Sequence, residues 1–271
     1  MMVMLFGIGW LSGMITGMLS LGGGIVLIAL LLFIPPLFHF APFSMHEIGG
    51  MVTVQSIFSM LSGSVVYLRH RLFDAETVVW MGGGGLAGSI AGAYMAGNMN
   101  SQGLTVLYTV MCSLAAILMF IPQSASTSAP SPTSENGSTE VRSRFRWRYA
   151  GKFLVGAIIA FAGAMLGVTA GFLMVPVLRY VYKFPIKTTV GTVIMVGALV
   201  AFGSLIGRAL HHSLPMLASL ALVVGAIPGG YIGGLLAKRL SNVVMNRLAT
   251  AMVLLLTVRV WWSMFVAYHV I

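Results

Sequence analysis

Charged residues are scarce in this chain. Asp, Glu, Lys and Arg together make up 7% of its 271 residues, and only five residues are acidic. Soluble domains carry about 25% charged residues. With 58% hydrophobic residues as well, the composition excludes an ordinary soluble protein and predicts a membrane protein that crosses the bilayer several times.

Cysteine and the usual signatures of catalysis are also missing. Cys112 is the single cysteine, so neither an intrachain disulfide nor a cysteine-based metal cluster can form. The sequence contains no HExxH, Walker A or G-x-S-x-G motif, and its histidines show no metal-binding spacing. We therefore expect no enzyme activity, no metal and no cofactor.

Apolar runs long enough to be helices divide the chain into two sets of five segments. We expect a first transmembrane repeat at 1–122 and a second at 149–271. Between them, 123–148 is rich in Ser, Thr and Pro, ends in four arginines and has nothing to bury, which predicts a disordered, basic-ended cytoplasmic linker. The segments are 3–21, 25–40, 48–68, 77–96, 103–122, 150–168, 171–184, 187–208, 214–237 and 243–266.

The two halves repeat one another. Three blocks recur in the same order at a nearly constant offset, which indicates an internal duplication. Gly9 and Gly24 match Gly156 and Gly171 at a shift of 147, Gly63-Ser64 matches Gly203-Ser204 at 140, and GSIAGAYMA from Gly88 matches GGYIGGLLA from Gly229 at 141.

The basic residues predict how the repeats are oriented. If the N-terminus is outside, 13 of the 15 Lys and Arg residues fall inside, and Arg208 and Arg259 remain outside. An odd number of segments inverts the second half. The predicted fold class is thus an all-α polytopic membrane protein of two inverted repeats. The net charge of +10 follows from this topology, so we expect no nucleic-acid partner.

Glycine clusters predict interrupted helices. Three glycines at 22–24, and the matching Thr169–Gly171, favour helices that are broken or re-entrant. The segments 25–40 and 171–184 are short, so each is either a tilted pass or one arm of a re-entrant hairpin. A break at membrane depth is tolerated where it faces protein or a watery cavity. The free N–H groups of a new helix there suit an anion.

Polar residues near these breaks are the candidate binding site. Buried hydroxyls often bond back to their own helix, which is the alternative for each serine and threonine. We predict substrate contacts from Ser20, Gly22, Gly23, Gly24, Thr53, Gln55, Ser56, Thr169, Ala170, Gly171 and Thr192.

Three further residues carry weaker expectations. His46 and Glu47 are candidates for proton coupling, with helix capping as the alternative for Glu47. Arg208 could act as an outer gate or attract anions, but a side chain that snorkels from a helix end to the membrane surface is the favoured interpretation.

The opening glycine ladder with SLGGGIVLIALL, its echo ending GFLMVPVL, and the blocks GSIAGAYMA and GGYIGGLLA resemble the TauE/SafE sulfite exporter family of bacterial membrane permeases. The resemblance covers nearly the whole chain apart from the linker. It implies a carrier of the bacterial inner membrane for sulfite, sulfoacetate or related organosulfur anions.

The sequence therefore predicts a secondary transporter that exports small anions by alternating access, with proton coupling as an option. An anion channel, or an uptake permease for another small anion, is the alternative. The expected partners are the anionic substrate and the lipid bilayer, and a homodimer is a further option. The N-terminus would lie outside and the linker inside.

Overall fold

The computed structural model describes residues 2–20, 23–38, 43–120, 140–169, 171–210, 216–241, 243–244, 247–248 and 251. These residues form helices without any strand. The tenth predicted segment, 243–266, lies almost wholly outside them. The helices are α1 (Met2–Leu19), α2 (Gly23–Leu37), α3 (Met45–Arg69), α4 (Ala75–Ala96), α5 (Ser101–Phe120), α6 (Glu140–Met165), α7 (Gly171–Tyr180), α8 (Ile186–Ala209) and α9 (Met216–Arg239).

Several helices have the length and composition of membrane spans. Four stretches qualify among the described residues: Met2–Leu19, Met45–Arg69, Ile186–Ala209 and Ala218–Arg239. α6 begins at Glu140, earlier than the expected boundary at 149. The arginine-rich stretch 140–148 contains neither Gly nor Pro, so no helix-breaking residue separates it from the rest of α6. The rest of the predicted linker, 123–139, lies outside the described residues.

Glycines bring the first helix of each half against the fourth helix of the other half. A Cβ added to most of these glycines would collide with a backbone carbonyl of the facing helix, so only glycine permits the approach. α1 meets α9 through Gly9 with Leu222, Gly13 with Ala226 and Gly17 with Gly230, and α4 meets α6 through Gly84 with Phe153, Gly88 with Ala157 and Gly92 with Phe161.

The order of these contacts gives the helix directions. In each of these two helix pairs, the residue numbers of the contacting positions rise together along both helices. α1 therefore runs parallel to α9, and α4 runs parallel to α6. α3 runs parallel to α1, because Ser59 and Tyr67 donate hydrogen bonds to the carbonyls of Gly13 and Gly17 in turn.

The two halves are inverted. Along α3 and α8, which occupy the same place in their repeats, the residue numbers of the contacts run in opposite directions. The contacts pair Gly49 with Arg208, Met60 with Gly197 and Gly63 with Ile194. The predicted fold class, an all-α polytopic membrane protein of inverted repeats, is confirmed.

The bundle has two ends, which we name after the residues that precede α3 and α8. At the Ser44 face α3 begins and α8 ends; at the Pro185 face α3 ends and α8 begins. Cations collect at the Pro185 face, where Lys187 Nζ donates to the Lys238 carbonyl at 3.2 Å and Lys238 Nζ lies 3.1 Å from His70 Nε2.

The interlocked packing predicts a sharp difference between two glycines of α1. Gly9→Ala places a methyl group against the Leu222 backbone, which cannot move aside as a side chain would. We expect a loss of about 1–3 kcal/mol, typical of overpacking, seen as a lower thermal unfolding temperature in detergent. Gly7→Ala is the matched control, because nothing lies within 4 Å of its added Cβ. Equal stability of the two variants would contradict this packing.

Candidate functional site

The first helix break follows α1. Ser20 has a φ of 49°, a left-handed conformation that strains a residue with a Cβ. Its N–H donates to the Thr16 carbonyl at 2.9 Å, which closes the helix with a left-handed C-terminal cap. The Ser20 hydroxyl donates to the Val190 carbonyl of α8 at 3.0 Å. This break is therefore anchored on the opposite half.

The second break occupies the equivalent position after α6. Gly167 matches Ser20 at the shift of 147 and also has a positive φ, 79°. Its N–H donates to the Ala164 carbonyl at 3.0 Å, and the Val168 N–H donates to the Gly163 carbonyl at 2.9 Å. These two bonds form a Schellman cap, which ends a helix and turns the chain sharply. The predicted interruptions are thus present in both halves.

The helices that start after the breaks are short. α2 has 15 residues and α7 has 10, which correspond to about 22 Å and about 15 Å at 1.5 Å per residue. The hydrocarbon core of a bilayer is about 30 Å thick. Neither helix is long enough to cross it alone, which favours re-entrant arms over tilted passes.

The two breaks meet inside the bundle. A Cβ added to Gly24 would lie 2.8 Å from Val52 Cγ1 of α3 and 3.3 Å from both methyl carbons of Val168. The start of α2 therefore lies beside the segment that leads into α7. We call Gly24, Thr53 and residues 167–169 the junction.

Thr53 joins α3 to the second break. Its hydroxyl donates to the Gly49 carbonyl at 2.8 Å and lies 3.5 Å from the Gly167 carbonyl oxygen. A Cβ on Gly167 would collide with the Gly49 carbonyl oxygen, so α3 and this turn are in direct backbone contact. Ser56 follows Thr53 one turn later and is also buried.

Thr169 places the junction at mid-depth. Its side chain is 1% exposed, and its Oγ1 has no hydrogen-bond partner among the described residues. Its Cβ lies 3.5 Å from the position of a Cβ added to Gly197, which is midway along α8 and also contacts Met60 of α3. An unpaired buried hydroxyl is costly, so Thr169 Oγ1 is a hydrogen-bond donor at the junction that lacks a partner among the described residues.

The first residues of α2 and α7 adjoin the junction along the chain. Gly23 is the first residue of α2, and Gly171, which is buried, is the first residue of α7. Their end N–H groups have no partner within the helix. Gly22 and Ala170, two other predicted contacts, lie outside the described residues.

Other predicted contacts lie away from the junction. Gln55 is buried on the side of α3 that faces α1, where its Nε2 donates to Ser12 Oγ at 3.1 Å and its Oε1 has no partner within the described part of the chain. The Thr192 hydroxyl accepts from the Asp74 N–H at 2.9 Å and so holds the turn before α4. Ser20 is bound to α8, as described above. The part of each in binding stays a prediction.

Glu47 has a capping role in the structure. Its carboxylate accepts hydrogen bonds from the Ser44 N–H at 2.8 Å and from the Ser44 hydroxyl at 2.9 Å, which forms a capping box at the start of α3. His46 precedes it in the first turn. The structure thus supports the capping alternative for Glu47, and proton coupling by either residue stays a prediction.

Acidic side chains are not part of the described junction. The described acids are all at helix starts: Glu47 in the first turn of α3, Asp74 and Glu76 at the beginning of α4, and Glu140 at the beginning of α6. The Asp74 carboxylate caps α4 by accepting from the Thr77 N–H at 2.9 Å. The described part of the junction therefore contains no negative charge that would repel an anion.

Arg208 differs from its expected position. Its side chain does not snorkel to the surface: the residue is 2% exposed, so that expectation is wrong. Its Nη2 donates to the carbonyls of Ala164 and Met165 at 3.1 and 3.0 Å. These carbonyls lie in the last turn of α6, where the usual helical partner four residues later is missing. No local pattern in the sequence signals this role, because the carbonyls belong to a different helix.

A comparison with protein families identifies the chain. The model of the sulfite exporter TauE/SafE family matches residues 5–260. The chain belongs to the TauE/SafE family. Family membership and the relatives below support a membrane transporter.

Relatives of the chain are described as membrane transporters. It is 24% identical over 250 residues to the probable membrane transporter protein YunE of Bacillus subtilis, covering 89% of this chain and 90% of that one. A probable membrane transporter protein of Xylella fastidiosa is 25% identical over 96% of this chain and 95% of its own length. The similarity to the probable membrane transporter protein MamO of Paramagnetospirillum magneticum, at 22%, covers 87% of this chain and 40% of that protein. No solved structure matches the chain.

The second break predicts a glycine requirement. Gly167→Ala would add strain at a positive φ and a collision with the Gly49 carbonyl oxygen. We expect a loss of at least about 1 kcal/mol of stability, the cost of a left-handed non-glycine residue, measured as a lower unfolding temperature. Gly151→Ala in α6 is the control, because its Cβ would meet nothing within 4 Å. Unchanged stability of Gly167→Ala would be evidence against this turn.

Proposed function

We propose that the protein is a secondary transporter of small oxyanions that binds its substrate at the junction. The observation that carries the proposal is that the start of α2 lies beside the segment that leads into α7, where a buried threonine hydroxyl has no partner among the described residues. Gly24 lies against Val168, and Thr169 Oγ1 has no partner among the described residues.

The chemistry of the junction suits an anion. Each half-helix directs its end N–H groups and the positive end of its dipole, equivalent to about half a unit charge, toward the interior. The Thr169 hydroxyl adds a donor at the junction that has no partner among the described residues, whereas the Thr53 hydroxyl already donates to the Gly49 carbonyl. Hydrogen bonds to a charged acceptor contribute about 1.5–3 kcal/mol each, so a few such donors compensate an oxyanion for part of its lost hydration.

The fold also suits alternating access. Inverted repeats give the protein two related conformations, in which the halves exchange roles and the site opens to one face or the other. The junction lies at mid-depth, level with Gly197 in the middle of α8. Each break is anchored on the opposite half, Ser20 on α8 and Gly167 on α3. A rocking of the halves would therefore move both breaks together.

The family description points to the substrate class. A family of sulfite exporters favours sulfite, sulfoacetate or a related organosulfur anion, moved outward. The donors described at the junction are hydroxyl and N–H groups, which fit oxygen atoms that share negative charge. If a proton is coupled, protonation of Glu47 would weaken its capping bonds to Ser44 and so alter the start of α3.

The basic Pro185 face of the bundle gives the proposed orientation, since lysine and arginine favour the cytoplasm. The contacts among Lys187, Lys238 and His70 place the ends of three helices on this face. We assign it to the cytoplasmic side of a bacterial inner membrane. The N-terminus and the Ser44 face would then lie outside.

Flux through proteoliposomes tests the mechanism. A transporter should show sulfite flux that saturates with concentration and is accelerated by sulfite on the opposite side. An anion channel, the alternative, would show flux that continues to rise with concentration and no such exchange. Absence of any anion flux from protein that is folded by size-exclusion chromatography would overturn the proposed function.

The site itself predicts the effect of removing one hydroxyl. Thr169→Val keeps the shape of the side chain and removes a donor that has no partner among the described residues, so stability should hold. We expect a rise in the KM for sulfite of about tenfold or more, since the lost bond is to a charged group. The measurement is saturable sulfite flux together with thermal unfolding.

Thr16→Val serves as the matched control. Thr16 is also 1% exposed, but its hydroxyl donates to the Ser12 carbonyl at 2.8 Å within α1. Its substitution should leave the KM within about twofold of the native value, because the lost bond is internal to one helix. A normal KM in Thr169→Val would remove this hydroxyl from the site.

A further inference from the structure

The ends of α1 and α6 are capped by side chains of different charge. The Tyr67 hydroxyl of α3 donates to the Gly17 carbonyl at 3.1 Å, near the end of α1. The Arg208 guanidinium of α8 donates to the Ala164 carbonyl at 3.1 Å, near the end of α6. Gly17 and Ala164 are equivalent at the repeat shift of 147. The same carbonyl is thus capped by a neutral group in one half and by a cation in the other.

The positive charge of Arg208 is not neutralised by any acid that the structure describes. An ion pair joins Lys152 to Glu76 among the described residues, and Arg208 does not take part in it. The residue is 2% exposed, and its Nε has no hydrogen-bond partner among them. The helix C-terminus that it caps offsets about half a unit charge. A buried, partly uncompensated cation therefore lies near the end of α6.

This cation lies close to the junction. A Cβ on Gly49 would be 2.8 Å from Arg208 Nη2, and Gly49 is itself in backbone contact with Gly167. Thr169 follows two residues later, at most about 7 Å along an extended chain. At a separation of about 10 Å and an effective dielectric constant of about 20, a unit charge changes the affinity for a monovalent ion by about tenfold. A divalent ion gains more.

We propose that Arg208 determines the charge preference of the site and favours divalent over monovalent oxyanions. Its positive electrostatic field acts on the bound anion from the Ser44 side of the junction. On the Pro185 side the equivalent cap, Tyr67, carries no charge. Arg208 is therefore a specificity-determining residue as well as the cap of α6. This inference rests on the proposed function, because it assumes that the junction binds an anion.

Competition between two anions of similar chemistry tests the proposal. Sulfate and methanesulfonate both present sulfonyl oxygens but carry two charges and one. Sulfite flux in proteoliposomes is measured at mildly alkaline pH with each competitor, and the ratio of their inhibition constants is compared among variants. Sulfate should be the stronger competitor of the native protein.

Arg208→Tyr copies the neutral cap of the first half, and we expect it to lower the preference for sulfate about tenfold. Arg208→Lys keeps the charge and should keep the preference within about threefold. Tyr67→Phe removes the equivalent cap without changing charge, so its preference should match the native protein within about twofold. Thermal unfolding separates capping from charge, since Tyr67→Phe should destabilise the fold as well.

Two results would overturn the proposal. One is an unchanged preference in Arg208→Tyr; the other is an equal loss of preference in Tyr67→Phe, which would assign the effect to capping. If Arg208→Tyr does not fold, Arg208→Gln is compared with Arg208→Lys, and equal ratios in that pair overturn it too. Failure of this inference is distinct from failure of the proposed function, because native sulfite flux and the Thr169→Val effect would persist.

Discussion

Backbone contact between helices of opposite halves is the constraint on which the rest of the structure depends. In a bilayer the lipid is as apolar as the side chains, so close van der Waals packing takes over the role that water exclusion has in soluble proteins. The glycines of α1 and α4 place their backbones against the carbonyls of α9 and α6. Each half thus supplies the surface on which the other half's first helix rests. The third helices of the two halves, α3 and α8, then cross antiparallel at the centre.

This framework determines where the chain can be interrupted. With α1 and α6 fixed by their partners, their ends fall near opposite faces, and left-handed residues at Ser20 and Gly167 turn the chain back toward the middle. The half-helices α2 and α7 then begin in the interior, where Gly24 and Val168 touch. Backbone groups freed by the breaks are acceptable at this depth because protein surrounds them. The same freed groups are what make the centre suitable for a charged solute.

The architecture was predictable from the sequence, but the site was predictable only in outline. The repeated glycine blocks and the distribution of lysine and arginine were enough to predict the inverted repeats, because residue spacing and charge can be read directly from the sequence. The presence of a helix break in each half, before Gly24 and before Gly171, followed from the same repeat. The position of Gln55 away from the junction was not predictable. The direction in which its side chain points depends on how α3 is rotated against α1. Arg208 was misplaced because burial of a cation depends on carbonyls of a distant helix.

The packing of each half's first helix against the other half also has a consequence for biosynthesis. A ribosome completes α1 long before it makes α9, so the glycine face of α1 has no partner during most of translation. Folding of this surface therefore awaits contacts that are distant in sequence, the kind that slow folding. We therefore expect that neither half reaches its final structure alone in the membrane, since each would expose the helix surface that contacts the other half. We expect the chain to fold as one unit, although its sequence is visibly a duplication.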